Sequence, residues 1–286
     1  MEKSALSATT SDSFKEPISK LEFTTKTGNV PIELIVTSSA DSKITSVSSV
    51  IRHTAPNITV SPTLNFKTDT LTVHVTAGQS TTHGFYTGSN STNEPAATVT
   101  IDFPSALEAA TIALECGSLK WRGPNTQSFN SSVQLGETNI SASPFHTDSL
   151  NVKSEKGAIK IANAVVSNKA VLENSLGEID ATVSGYKHLN ATLSMGELKV
   201  YLTPGAGSRT ELGNSLGGLV AKVSGFVGRF DTKVILGKAI VKAPGNVKKG
   251  LWGSGYHSGS VGDGEDADGL ISAKNALGSV TLEFIE

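Results

Sequence analysis

Apolar and polar residues alternate strictly along most of the chain, and the alternation is organised around glycines. After Gly177, for example, Ile179, Ala181 and Val183 are apolar and the residues between them are polar. A period of two is typical of a strand with one buried face. Before each glycine the apolar residues stand at odd offsets, often at position −1, so the alternation slips by one. A slip would turn later side chains to the wrong face of a continuous strand. We therefore expect a bend or bulge at the glycine, which tolerates the φ required.

These glycine-centred units recur at nearly constant spacing. From Gly117 to Gly237 the intervals are 19, 21, 20, 19, 21 and 20 residues, and Gly278 follows 41 residues later. The pivots are Gly117, Gly136, Gly157, Gly177, Gly196, Gly217, Gly237 and Gly278. Two short strands and two turns per repeat, with no helix between them, indicate one coil of a parallel β-solenoid, either a β-helix or a β-roll. An antiparallel sandwich is the alternative, but it does not explain the recurring Leu-Gly unit.

The rhythm divides the chain into three parts. Residues 1–17 are polar, and we expect them to form a disordered tail. Residues 18–105 predict a β-rich N-terminal cap or the start of the solenoid, because the unit recurs at Gly28 and the spacing then breaks. Residues 106–286 predict solenoid repeats, with an irregular loop at 250–270 in place of one coil. Terminal repeats are commonly atypical because they cover an open sheet edge.

The repeated unit, polar-x-Gly-x-Ile/Leu-x-Val on a background rich in Ser, Thr and Gly, resembles that of a known family. It is similar to the putative-adhesin family of bacterial β-solenoid domains and its fungal members. The resemblance covers residues 106–286 and the unit at Gly28. It implies a solenoid fold, and it brings no catalytic residues to this chain. Members are often secreted or tethered to a membrane.

Composition and charge narrow the classes of partner. The chain has 286 residues, of which 37% are hydrophobic and 17% charged, and its net charge is −2. No Lys/Arg cluster exceeds the pair Lys248-Lys249, so we expect no nucleic-acid partner. Cys116 is the only cysteine, which excludes a disulfide within the chain and a cysteine-based zinc site. We find no apolar run of the kind that a signal peptide or a transmembrane helix needs. This predicts a soluble, cytoplasmic protein, or a surface or secreted one if the sequence is a trimmed piece.

The repeats themselves carry few polar groups that suggest chemistry. The motifs of nucleophile elbows, P-loops, dinucleotide sites and zinc proteases are absent, and the six histidines are scattered. Glu137, Glu178 and Glu197 share position +1 and predict a solvated outward row. Asparagine recurs at position −3, where a buried amide must be satisfied by hydrogen bonds. We expect it either to stack in a ladder or to cap the glycine turn. These asparagines are Asn174, Asn214 and Asn275.

The segment 250–270 departs from the repeat and holds the candidate ligand sites. Its acids stand among glycines and predict either a Ca²⁺-binding loop or a hydrated loop without metal. They are Asp263, Glu265, Asp266 and Asp268. Trp252 and Tyr256, with the neighbouring His257, predict a platform on which sugar rings stack, or a plug for the end of the solenoid. We expect no other cofactor.

Two functional hypotheses follow. The first is a non-enzymatic structural, adhesion-like or interaction module that binds a protein or polysaccharide surface through many weak contacts. It is favoured because turns and core account for nearly every recurrent residue. The second is a carbohydrate-active or other enzyme whose cleft is formed by the 250–270 loop and the N-terminal cap. Convergent carboxylates, or a His–carboxylate pair in a deep pocket, would favour the second.

Overall fold

The chain is all-β in the part that the structure describes. The computed structural model describes residues 7–39, 43–52, 58–65, 67–77, 95–142, 144–243, 247–253, 255–262 and 268–285. These residues form strands, turns and bends and contain no helix, so none of the length and apolarity needed to cross a bilayer is present among them. The strands are β1 (Ser7–Phe14), β2 (Lys20–Lys26), β3 (Ile32–Ser38), β4 (Thr45–Arg52), β5 (Ile58–Asn65), β6 (Thr70–Ala77), β7 (Ala97–Phe103), β8 (Leu107–Arg122), β9 (Thr126–Ile140), β10 (Phe145–Ser184), β11 (His188–Thr203), β12 (Arg209–Ser224), β13 (Gly228–Lys242), β14 (Val247–Gly253), β15 (Tyr256–Val261) and β16 (Gly269–Ile285).

All sixteen strands belong to one mixed sheet that is mostly parallel. Its order is β1-β4-β7-β3-β8-β9-β10-β11-β12-β16-β13-β15-β14, with β2 also pairing with β6 and β8, and β5 with β6. Pairing is parallel from β7 through β3 and β8 to β13. It is antiparallel for β1 with β4, β4 with β7, β5 with β6, β13 with β15 and β15 with β14. The antiparallel strands therefore lie at the two ends.

The pivot glycines align from strand to strand. Gly117 pairs with Gly136 and Gly136 with Gly157. Beyond Gly157 the long strand β10 contains a second unit, and the register continues through Gly177, Gly196, Gly217, Gly278 and Gly237. Within β10, the Asn174 Nδ2 donates to the Gly157 carbonyl oxygen at 2.9 Å, which places its two units side by side.

The pivot positions require glycine for two reasons. Their φ angles lie between 126° and 144°, a region that L side chains rarely adopt. In addition, neighbouring units approach closely at this point. A Cβ added at Gly217 would lie 2.0 Å from the Gly196 carbonyl oxygen, and one at Gly136 would lie 1.6 Å from that of Gly117. Substitution would thus strain the backbone and push adjacent units apart.

The bend at each glycine is broader than the alternation predicts. Position −3 is buried, the next four positions from −2 to +1 are not, and position +2 is buried again, as at Asn174 and Ile179. Apolar character at position −1 predicts a buried side chain, and for the later units this prediction is wrong. Leu176 and Met195 are exposed by 43% and 47%. Several outward residues in a row form a convex corner, and the −1 side chain lies on it.

The asparagines at −3 bind backbone groups at this corner. The Asn214 Nδ2 donates to the carbonyl oxygens of Gly196 at 3.0 Å and Gly218 at 2.9 Å. Asn275 makes the same two contacts, with Gly217 at 2.7 Å and Ser279 at 3.1 Å. Of the two alternatives, the structure has the local turn cap rather than the amide ladder. Each amide ties its own corner to the neighbouring unit.

Inward side chains form one continuous hydrophobic core. Near the middle, Trp121, Phe129 and Phe145 pack edge to face, with ring centroids 4.8 to 6.2 Å apart. Toward the C-terminal end, Phe284 packs against Phe226 and Phe230 at 5.7 and 5.2 Å. Aromatic pairs of this kind contribute about 0.5–1.5 kcal/mol beyond their buried area.

At both ends the spatial order departs from the chain order. Near the N-terminus, β2 and β3 flank Gly28 and pair in parallel with β8, as the recurrence of the unit there indicates. Their other neighbours are β6 and β7. Near the C-terminus, β16 lies between β12 and β13. The 41-residue interval before Gly278 therefore does not correspond to a coil replaced in sequence, because the last strand inserts one place inward.

Two segments that we expected to be irregular contain strands. Residues 7–14, within the expected disordered tail 1–17, form β1 and pair along their whole length with β4. In the expected loop 250–270, β15 pairs with β13 on one side and β14 on the other. Both segments supply antiparallel edges that a purely parallel repeat does not contain.

Candidate functional site

The outer surface of the pre-glycine segments carries a polar concavity. It is an open groove of about 770 Å³ that crosses β9, both units of β10, β11 and β12. We call it the polar groove. Its polar lining consists of Asn130, Ser149, Asn151, Lys153, Lys169, Glu173, His188, Asn190, Arg209 and Glu211. Because the strands are parallel and in register, each unit contributes residues from equivalent positions.

Three asparagines line the groove at the same position, −6 from the pivot glycine. They are Asn130, Asn151 and Asn190. The Asn151 Nδ2 donates to the Asn130 Oδ1 at 3.3 Å, and the Asn130 Nδ2 donates to the Ser128 hydroxyl at 3.2 Å. The Asn151 Oδ1 is buried and accepts no hydrogen bond from the described residues. Each amide presents donors and an acceptor, so the row can bind a ligand rich in hydroxyl or amide groups.

Four charged side chains of the groove form two ion pairs with one another. The Lys153 Nζ lies 2.9 Å from the Glu173 Oε2, and the Arg209 Nη2 lies 2.8 Å from the Glu211 Oε1. These side chains are 40–60% exposed. Exposed ion pairs contribute about 0–1 kcal/mol to stability. Their effect here is to hold the charged groups over the groove rather than to stabilise the fold.

The two carboxylates of the groove are bound by different cations and lie on strands that are not adjacent. Glu173 and Glu211 lie two strands apart and two positions out of register, which corresponds to roughly 12 Å between their Cα atoms at usual strand dimensions. The described residues also contain no group of three His, Cys, Asp or Glu side chains placed to hold a metal ion.

A second open groove lies next to the first and contains a histidine and two carboxylates. It has a volume of about 350 Å³ and is lined by Glu108, His146, Asp148 and Ser167 among others. The Ser167 hydroxyl donates to the Asp148 Oδ1 at 2.5 Å. Within the described residues, the His146 ring makes no hydrogen bond to a carboxylate, and both His146 and Asp148 are exposed. The serine therefore contacts the Asp148 carboxylate directly, without a histidine between them as in a Ser-His-Asp triad.

The lone cysteine is also poorly suited to nucleophilic chemistry. Cys116 is half-buried on β8 at position −1, next to the pivot Gly117. Burial raises the pKa of its thiol. The thiolate is the nucleophilic form, so the thiol is held in its less reactive state at neutral pH.

The residues predicted as a sugar platform lie on the antiparallel end strands. Tyr256 and His257 are consecutive on β15, opposite Lys233 and Thr232 of β13. Successive residues of a strand project to opposite faces. Tyr256 is exposed, whereas His257 is half-buried and its backbone N–H donates to the Thr232 hydroxyl at 3.2 Å. The backbone of Trp252 on β14 pairs with that of His257.

The predicted calcium segment is mostly outside the described residues. Asp263, Glu265 and Asp266 fall in the range 263–267, which the structure does not describe. Asp268 is described and exposed, and it immediately precedes β16. A Cβ added at Gly207 would lie 3.7 Å from the Asp268 Cβ, which places this residue beside the turn that precedes β12.

One functional hypothesis requires a correction. A cleft formed jointly by the 250–270 segment and the N-terminal cap is wrong, because the two lie at opposite ends of the sheet. Ten strand-to-strand steps separate β7 from β15 when the two units of β10 are counted separately. That corresponds to roughly 48 Å at about 4.8 Å per step. No single small substrate could contact the described strands of both.

The polar groove was missed from the sequence, although a signal for it exists. Asparagine occupies position −6 in three units of a chain whose repeat had already been recognised, at Asn130, Asn151 and Asn190. The outward parity of that position would have placed the three amides in one row. The exposure of the residues at position −1 was not predicted either, because their apolar character suggested burial.

Comparison with known proteins adds structural likenesses only. No family model matches the chain, and no curated protein matches its sequence. A putative adhesin from Bacteroides fragilis is 12% identical over 97% of both chains, with a TM-score of 0.40. A putative adhesin from Parabacteroides distasonis is 10% identical over 99% of this chain and 98% of its own, with a TM-score of 0.38. A putative lipid binding protein from the same species is 11% identical over 97% of both chains, with a TM-score of 0.31. At identities and TM-scores this low, the likenesses carry no argument about this chain.

Proposed function

We propose that the chain is a non-enzymatic binding module, built as a parallel β-solenoid, that holds a polysaccharide chain in the polar groove. The single observation behind this proposal is the row of amides at Asn130, Asn151 and Asn190 along a 770 Å³ groove. A protein surface is the other partner that such a groove suits.

The solenoid part of the proposal is supported by the way successive units stack. Each unit has two inward-facing segments separated by a corner at its glycine, and the glycines align from unit to unit. The second turns also stack, because the Gly205 N–H donates to the Tyr186 carbonyl oxygen at 3.0 Å. The Arg209 N–H donates to the Lys187 carbonyl oxygen at 2.8 Å in the same way. A chain that turns twice per unit and stacks at both turns winds into coils.

The polysaccharide part is supported by spacing and chemistry. Units in register repeat every ~4.8 Å, so the amides lie at whole multiples of this step: Asn130 and Asn151 are one step apart, and Asn190 lies two steps beyond Asn151, past Val171. A linear polysaccharide likewise presents hydroxyl groups at regular intervals. Amide side chains can donate to and accept from such hydroxyls at the same time. Several modest contacts of this kind add up along an extended ligand.

The non-enzymatic part is supported by the state of the charged groups. Glu173 and Glu211 each pair with a different cation of the same groove, so neither carboxylate stands there unpaired. The groove is also open and shallow enough for its ion pairs to remain exposed. Electrostatic stabilisation of a transition state depends on a site from which water is excluded.

A glycan array, followed by calorimetric titration of the best ligand, tests the proposal. Asn190→Ala should weaken binding by about 2–10-fold, since one lost hydrogen bond is worth about 0.5–1.5 kcal/mol. The matched control is Asn139→Ala, at a half-buried outward position after the pivot of β9 and outside the groove. It should bind as the wild type does. No glycan binding, or equal losses in both variants, would contradict the proposal, and binding to a purified protein instead would favour the protein partner.

Two sequence-based predictions about the C-terminal segment stay proposals. Titration with Ca²⁺ tests the loop of Asp263, Glu265, Asp266 and Asp268, where heat and a raised melting temperature are the expected signs of binding. Substitution of Tyr256 by alanine tests the sugar platform. Its exposed ring can stack on a sugar without any change in the core. Unchanged affinity for the best glycan would exclude Tyr256 from sugar binding. It would also contradict the predicted platform of Tyr256, Trp252 and His257.

A further inference from the structure

The corners of the last five stacked units carry a row of exposed apolar side chains. In spatial order they belong to the second unit of β10, to β11, to β12, to β16 and to β13. Each pairs in register with the next. They are Leu176 (43% exposed), Met195 (47%), Leu216 (37%), Leu277 (47%) and Leu236 (65%). We call this row the corner ridge. Four steps of about 4.8 Å give it a length of about 19 Å.

A charge gradient runs along the ridge. Beside its Leu176 end lie Glu173 at position −4 and Glu178 at position +1. Beside its Leu236 end, the equivalent positions are occupied by Lys233 and Lys238. At the central unit both positions are glycine, Gly213 and Gly218. The two ends therefore carry opposite charges on both flanks of an apolar line.

This pattern is complementary to itself when reversed. Consider a two-fold axis that lies in the contact plane and crosses the ridge at a right angle at Leu216. It places a second copy antiparallel on the first. The flank that precedes the glycines then faces the same flank of the second copy, and the flank that follows them does likewise. Glu173 then faces the second copy's residue 233, and Glu178 faces its residue 238, and each pair occurs twice. A two-fold interface must be self-complementary in this manner. A parallel arrangement would place like charges opposite each other.

The lysines at one end have no competing partner among the described residues. Lys233, Lys238 and Lys274 are exposed and form no ion pair with another described residue. The acids are partly engaged. Glu173 pairs with Lys153, and Glu197 pairs with Lys199 at 3.0 Å. In this arrangement Lys238 of one copy would face Glu178 of the other. Glu178 makes no ion pair with another described residue.

We propose that the corner ridge is the contact surface of a symmetric antiparallel dimer of this chain, with Leu216 at the two-fold axis and Glu178–Lys238 ion pairs on its flank. Five units by five residues make a face of roughly 24 by 17 Å. That is smaller than the roughly 800 Å² that each partner buries in a standard interface. The dimer is therefore weak and depends on protein concentration and on salt.

Analytical ultracentrifugation of the full chain across a concentration series tests the proposal. The wild type should shift from monomer to dimer in the micromolar range. Leu216→Glu places two like charges across the axis and should raise the dissociation constant at least about tenfold. Its melting temperature should not change, because the side chain is exposed. The control Leu251→Glu replaces another exposed apolar residue, on β14 and off the ridge, and should dimerise as the wild type does.

A charge-reversal cycle tests the orientation. Lys238→Glu and Glu178→Lys should each weaken the dimer, and the double variant should recover most of the affinity. A chain that stays monomeric at all concentrations would overturn the proposal and leave the ridge to a different occupant. A dimer that Leu216→Glu does not weaken, or a cycle without recovery, would also overturn it. The readout needs no ligand, so failure here is separate from failure of the proposed glycan binding.

Discussion

The middle of the sheet and its two ends are built by different rules. In the middle, from β8 to β12, each strand pairs in parallel with its neighbour in sequence, and equivalent positions of the repeat meet. At the ends, the chain leaves this order. One parallel strand inserts inward on each side, as β3 lies between β7 and β8 and β16 between β12 and β13. The outermost strands at both ends are antiparallel.

This difference shows how a repeat is terminated. A parallel stack with open ends presents unpaired backbone groups to which another chain could add. Antiparallel hairpins change the direction and register of the edge. The inserted strand β16 is held on both sides by strands of the middle. The last segment of the chain thus closes the stack from within rather than extending it.

Removing an inserted strand should have a larger effect than removing an edge strand. Deletion of residues 269–286 removes β16, which pairs on both sides, and leaves core residues of β12 and β13 without neighbours. We expect loss of cooperative unfolding in the C-terminal half by circular dichroism and hydrogen exchange. Deletion of residues 1–15 removes β1, which pairs only with β4. It should cost a small fraction of the stability, and equal damage from the two deletions would contradict the distinction.

A charge in the core of the middle should unfold the protein, whereas the same charge on the corner should not. Leu198 is fully buried on β11, and Leu198→Asp should lower the free energy of unfolding by about 5 kcal/mol. Leu216→Asp, at an exposed corner of β12, should change it by less than about 0.5 kcal/mol. Urea denaturation measures both. A large loss at Leu216 would show that the corner residue is buried after all.

Two adjacent glycines on β12 provide the sharpest test of the pivot. Gly217→Ala would place a Cβ 2.0 Å from the Gly196 carbonyl oxygen at a φ of 126°. We expect it to destabilise the chain by about 3 kcal/mol or more. A Cβ added at Gly218 would meet only the Glu197 Cγ, at an ordinary contact distance of 3.9 Å. Gly218→Ala should therefore leave the free energy of unfolding unchanged or raise it by about 0.4–1 kcal/mol. Thermal melts of the two variants decide, and equal melting temperatures would exclude a special role for the pivot.

The smallest expected effect is a dependence of stability on alkaline pH. Burial raises the pKa of Tyr186, whose hydroxyl lies 2.9 Å from that of Thr210. Below the unfolded pKa of about 10 the phenol is neutral in both states. Above it the unfolded state ionises first, so stability falls as pH rises. Tyr186→Phe should flatten this slope between pH 9 and 11, on the order of 1 kcal/mol. A slope that persists in the variant would assign it to another group.

The sequence predicted the middle of the molecule better than its ends. A period of two and a glycine every ~20 residues are local signals that specify strands, parity and a close approach at the pivot. The position of β16 has no such signal, because nothing in its own pattern states which strands it joins. The strand at 7–14 was missed since its polar residues gave no alternation. Antiparallel pairing at both edges likewise depends on contacts far apart in the chain.

The candidate site likewise has a part that the repeat pattern predicts and a part that only the assembled strands show. The outward parity of Asn130, Asn151 and Asn190 was available from the repeat, yet the groove becomes visible only when the strands are set side by side. The exposed leucines at position −1 could not be read from alternation, because four consecutive outward residues at each corner interrupt it. Their apolar character predicted burial, but the convex corner at each glycine leaves these side chains exposed.

Disulfide cross-linking tests the insertion of β16 most directly. In a Cys116→Ser background, paired cysteines at Gly218 and Ser279 lie on neighbouring strands in register, about 4.8 Å apart. That spacing fits a disulfide, for which Cα atoms lie about 4.4–6.8 Å apart. Cysteines at Gly218 and Lys238 lie two strands apart, about twice that distance. We predict rapid oxidation of the first pair and none of the second. Cross-linking of the second pair instead would mean that β13 follows β12 directly, and it would contradict the insertion of β16 between them.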